Sequence, residues 1–160
     1  MIEHTLMNEI LEISKALLTP LIAIVATYIA WQQWKTNQLK LHLDRYDRRL
    51  RIYEEVRQIL SIIARDAKAS YEDLLKFNRA TSEADFLFGA DIPSYLHEIY
   101  QRGVKLQSWN SQYCHSAQAR PEGYDHAKVC EGMHTELVWL TDQFDPALKK
   151  FKRYLDVSGT

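Results

Sequence analysis

Few residues in this chain break regular structure. Only 5 Gly and 4 Pro occur among 160 residues, which excludes collagen-like and low-complexity chains. Two Cys cannot build a disulfide-dense scaffold. Charge of one sign is missing too. Twenty Lys and Arg stand against 21 Asp and Glu, for a net charge of -1, so wholesale nucleic-acid binding is not expected. Catalytic signatures are also lacking: the sequence has no Gly-rich phosphate loop, His-Glu-x-x-His pair, nucleophile elbow or kinase signature. The nine Tyr and four Trp are too dispersed for a base-stacking platform. No segment alternates like a strand beside a hairpin turn, and no 20–50-residue repeat occurs.

One long uncharged run is present. Nineteen residues separate Lys15 from Lys35 without a charge, close to the roughly 20 residues that span a hydrocarbon core. The run predicts a transmembrane helix over 16–35, preceded by a short extracytoplasmic segment over 1–15. Tyr28, Trp31, Trp34, Lys35 and Lys40 are then the membrane-interface residues. Glu3, Glu9 and Glu12 precede Lys15 without a Lys or Arg, which argues against a cleavable signal peptide. Basic residues from Lys35 to Arg51 place the C-terminal side in the cytoplasm by the positive-inside rule. The expected location is the cell inner membrane, single-pass, with the N-terminus outside.

Past the run, residues 36–69 read as a long amphipathic helix. Leu39, Leu43, Tyr46, Leu50 and Tyr53 recur at alternating spacings of four and three, a heptad-like seam. Ala23 and Thr27, then Ala26 and Ala30, form small-xxx-small pairs that permit close helix approach. Together they predict self-association and a homo-oligomer.

Residues 70–160 read as a helical bundle packed with the end of the long helix. Ser70 is an expected N-cap for a helix from Tyr71. A short piece follows through Phe88. Asp91 is expected to cap a helix reaching about Ser116, with Pro93 in its first turn. Arg120–Gly123 is a loop. Helices are expected from about Tyr124 to Gln143 and from Asp145-Pro146 to about Leu155, and Gly132 weakens the first of these by about 1 kcal/mol. The fold class is all-α: one N-terminal transmembrane helix continuing into a long helix and a cytosolic bundle. Charge is segmented along it. The net is +3 over 36–65, -6 over 66–145 and +3 over 146–160.

Two constellations are candidates for a site. Cys114 with His115, and His126, Cys130 and His134 on one helix face, are weak zinc-ligand candidates; no cofactor is expected. Phe86, Phe88 and Tyr95 flank a tight turn and are candidate partner-binding residues. The run from Asp44 to Glu55 carries i, i+4 ion pairs that support an exposed helix.

The run Leu43-Asp44-Arg45-Tyr46-Asp47-Arg48-Arg49, followed by Tyr53-Glu54, resembles uncharacterised small bacterial single-pass inner-membrane proteins. Ala84 to Glu98 is similar to the same group. The resemblance covers residues 16–109. It implies a basic juxtamembrane helix and a cytosolic helical domain, and it carries over no catalytic residue. The function expected is a membrane-anchored, cytosol-facing helical interaction protein: a non-catalytic sensor, scaffold or adaptor. Its partners are the lipid bilayer, further copies of itself and a cytosolic protein. The alternative is an oligomeric, membrane-perturbing effector of a bacterial defence or toxin system.

Overall fold

The computed structural model describes residues 2–113 and 122–156, and every regular element among them is helical. Six helices follow in order: α1 (Ile2–Asp66), α2 (Tyr71–Ala80), α3 (Ala84–Leu87), α4 (Asp91–Gln112), α5 (His126–Thr141) and α6 (Phe144–Leu155). Two compact units divide the chain, Met1–Asp44 and Arg45–Thr160.

In the first unit, α1 starts at Ile2 and runs through Pro20 without a break. The transmembrane expectation is corrected here. No helix among the described residues is long and apolar enough to cross a membrane. From Ala16 to Trp31 the helix rises only about 24 Å at 1.5 Å per residue, short of a hydrocarbon core of roughly 30 Å. Thr19, Pro20, Thr27 and Tyr28 dilute that stretch, and Gln32 and Gln33 end it. Lack of charge alone does not make such residues hydrocarbon. The single-pass inner-membrane location falls with the span. The orientation drawn from the basic flank goes with it, and Tyr28, Trp31, Trp34, Lys35 and Lys40 have no span to border.

The second unit is a helical bundle. Ile52, Val56, Ile59, Leu60 and Ile63 make the buried stripe of α1, at the spacing expected of one helix face. Leu74 and Phe77 of α2, Ile92, Leu96, Ile99 and Leu106 of α4, Leu140 of α5 and Phe151 of α6 complete the same core. Helices α4 and α5 lie antiparallel. Arg102 reaches Glu136, Trp109 lies against Gly132 and the Tyr113 ring stacks near His126. Gly132 is therefore more than a weak helix former. A Cβ there would come within 2.4 Å of the Trp109 ring.

The helix starts follow local chemistry where a side chain can reach the backbone. The Ser70 hydroxyl accepts from the Asp73 backbone N–H at 3.1 Å, the expected cap. Asp125 caps α5 by accepting from the Lys128 N–H at 3.1 Å, so α5 starts two residues later than the expected Tyr124. Asp91 is the first helical residue of α4, not its cap; Ala90 holds that place. Helix α4 ends at Gln112 and α6 begins at Phe144, one to four residues from expectation.

Helix α1 ends through Ala67, which adopts a positive φ of 53° while its N–H bonds the Ile63 carbonyl at 2.9 Å. An L side chain pays a steric penalty in that left-handed conformation, and glycine does not. Ala67→Gly is expected to raise the unfolding free energy by about 0.5–1 kcal/mol, read from urea denaturation. At Gly132 the sign reverses. Gly132→Ala gains helix propensity but pushes Trp109 aside, and a net loss of about 1–2 kcal/mol is expected, with a shift in Trp emission.

Candidate interaction surface

Leu18, Leu21, Ile22, Ile24, Val25, Tyr28, Ile29, Trp31, Trp34, Leu39, Leu41 and Leu43 are all exposed on α1. They lie on every side of the helix. At twelve large side chains, each about half exposed or more, the patch is on the order of 1,000 Å² of apolar surface. A typical monomer's largest patch is roughly 300–600 Å².

Polar groups within this stretch are tied to the helix itself. The Thr27 hydroxyl donates to the Ala23 carbonyl at 2.8 Å, and the Thr36 hydroxyl to the Gln32 carbonyl at 2.9 Å. The Gln32 amide donates to the Tyr28 hydroxyl at 3.1 Å. Lys35 places its ammonium 5.9 Å from the Trp31 ring centre, and the Tyr28 and Trp31 rings lie 6.4 Å apart. Ala23, Ala26, Thr27 and Ala30 are also exposed.

The expected seam divides. Leu39 and Leu43 are exposed. Tyr46 and Leu50 are half-buried in the second unit. Tyr53 is taken up by the bundle, its ring 5.4 Å from that of Phe151, and so it is not available to a second copy. A further seam was missed. Carried towards the N-terminus, the same alternation passes through Thr36, Gln32, Ile29, Val25, Ile22 and Leu18. The signal was the spacing itself, hidden by reading this stretch as a span.

The corner around Phe86, Phe88 and Tyr95 is a latch, not a groove. Phe86 stands 89% exposed, whereas Tyr95 is only 5% exposed. Burial pushes the Tyr95 phenol far above its ordinary pKa, and its hydroxyl donates to the Gln143 carbonyl at 3.3 Å. Phe88 packs edge-on against Phe151 and Tyr154, 5.3 and 5.2 Å between centroids. Phe88 and Tyr95 are therefore withdrawn as partner contacts.

Arg49 closes the corner, a role its place in a charged run did not reveal. It donates to the Leu87 carbonyl at 3.0 Å and to the Tyr154 carbonyl at 3.1 Å. Its guanidinium also sits 5.8 Å from the Phe88 ring. The Tyr154 hydroxyl donates to Asp91 Oδ1 at 2.6 Å, and Arg153 donates to Oδ2 at 2.8 Å.

The metal candidates do not converge. His126 Nε2 lies 3.5 Å from Cys130 Sγ, and its Nδ1 faces the Tyr124 hydroxyl at 3.1 Å. His134 points to solvent. Among the described residues no group of three His, Cys, Asp or Glu is placed to hold a metal. Cys114 and His115 lie outside the described residues.

The Tyr154 hydrogen bond, and secondarily Arg153, hold the Asp91 carboxyl below its ordinary pKa. The folded carboxylate binds its proton more weakly than the unfolded one, so the contact stabilises the fold above the unfolded pKa. That contribution is lost as pH falls through the folded value, below about pH 4. Tyr154→Phe is expected to unfold at lower urea than the parent at pH 7, with the gap closing below about pH 4. An equal gap at both pH values would assign the effect to packing alone. No family model, no curated protein and no solved structure matches this chain.

Proposed function

We propose that this chain is a non-catalytic helical interaction protein, a scaffold or adaptor. Self-association through the exposed α1 surface between Leu18 and Leu43 carries the bundle into an assembly. One observation supports this above the rest: the size of that apolar surface. Helix physics points the same way. An isolated helix is marginal in water, and most of its stability comes from packing a face.

The bundle supports a binding role over a catalytic one. Its half-buried arginines are tied within the fold: Arg49 to two carbonyls and Arg102 to Glu136 at 3.2 Å. Phe86 is the one large side chain of the corner left to meet a partner. The membrane-effector alternative needed a spanning helix and is not carried further.

The full chain is expected to associate at micromolar concentration, seen by light scattering coupled to gel filtration. Ile22→Glu with Ile29→Glu is expected to leave single chains. Because both positions are exposed, the bundle should keep its unfolding midpoint. A parent chain that stays single at about 100 μM would overturn the proposal.

A further inference from the structure

A helix that is apolar all round offers a second copy more than one face. One face holds Ala23 and Thr27, in a shallow groove with Ile24, Tyr28 and Trp31. Its polar groups are already engaged. Thr27 is closed onto Ala23, the Tyr28 hydroxyl accepts from Gln32 and Lys35 caps the Trp31 ring. The other groove is hydrocarbon throughout, lined by Leu21, Ile22, Val25, Ala26 and Ile29. Ile22, Val25 and Ile29 are three members of the seam that runs from Leu18 to Leu43 at alternating spacings of four and three.

We infer that two copies of this chain pair along that seam, parallel and in register. The inference rests on the self-association proposed above and adds its face, direction and copy number. Of every second seam position from Ile22, the first three are β-branched, Ile22, Ile29 and Thr36, and the fourth is Leu43. The alternate positions are Leu18, Val25, Gln32 and Leu39. Three β-branched residues in the first set and Leu at both ends of the second lean towards two strands, and a single polar layer at Gln32 is a device that fixes register and copy number.

Direction follows from Gln32, since the Thr36 hydroxyl is already closed onto its own helix. In a parallel pair, Gln32 meets Gln32 of the second copy, and the amide oxygen and second N–H that the bond to Tyr28 leaves over can bond their counterparts. Laid antiparallel over the same length, Gln32 meets Ile29 and Thr36 meets Val25 of the second copy. A buried amide facing hydrocarbon weakens the pairing by about tenfold or more. The parallel arrangement has one cost: Lys35 approaches Lys40 of the second copy across the flank. Both are exposed, and such a contact is screened and changes affinity by only a few-fold, roughly. The Gln32 layer therefore decides the direction.

The test uses the full chain with Cys114→Ser and Cys130→Ser, and one new cysteine, Val25→Cys or Thr27→Cys. Both positions are exposed, so neither substitution threatens the fold. Under mild oxidation, Val25→Cys is expected to form a disulfide-linked pair at least tenfold more completely than Thr27→Cys. Light scattering on the unlinked chain should give the mass of two copies. Preferential linkage at Thr27→Cys would overturn the face. Linkage of a Val25→Cys and Thr36→Cys mixture, without Val25→Cys linking to itself, would overturn the direction. A mass of three or more would overturn the copy number. Each of these outcomes leaves self-association intact. A single-chain mass, with or without sedimentation on phosphatidylglycerol vesicles, would overturn both this inference and the proposal beneath it.

Discussion

An α-helix satisfies its own backbone but cannot bury its own side chains. Helix α1 meets that constraint in two ways along one continuous element. In the second unit, Val56, Leu60 and Ile63 are fully buried with the core residues of α2, α4 and α6. Between Leu18 and Leu43 the apolar side chains remain exposed. Burying a Leu or Ile side chain contributes about 1.5–3 kcal/mol, so a surface of this size is a strong driving force for association. The proposed function is the consequence of that unmet burial.

The bundle is held in a single arrangement by a few long-range polar ties over an ordinary apolar core. Arg49 joins α1 to the carbonyl of Leu87 and to that of Tyr154. Arg102 couples α4 to α5 through Glu136 while its guanidinium lies 4.2 Å from the Trp139 ring centre. Arginine suits both places. Its planar head donates to fixed acceptors and stacks on aromatic faces at the same time. Removing either would leave partly buried acceptors without a donor, which costs more than the bond itself contributes.

Local chemistry was legible in the sequence, and long-range chemistry was not. Ser70 announced its helix because a hydroxyl just before an acidic first turn has one obvious backbone N–H to accept from. The helical class followed from apolar spacing. Asp91 looked like a cap on the same reasoning, yet its carboxylate is taken by Tyr154 and Arg153, more than sixty positions away, a pairing no spacing reveals. Tyr53 fitted the seam by register, but Phe151 claims its ring. Gly132 read as a defect until Trp109 supplied its reason. Sequence and structure differ most at the expected spanning helix. An uncharged run with Trp at one end mimics a span, although Thr, Gln and Pro shorten its apolar length. Within such a run the apolar side chains on every side mask the seam from Leu18 to Thr36.

The central claim is that Leu18–Leu43 is half of a helix–helix interface. Amide hydrogen exchange on the full chain at two protein concentrations tests it most directly, because an unpaired helix opens locally while a paired one is protected. The account predicts that protection between residues 18 and 43 rises with concentration, while the bundle from Arg45 onward keeps the same protection at both. Fast exchange between 18 and 43 that does not depend on concentration would contradict it.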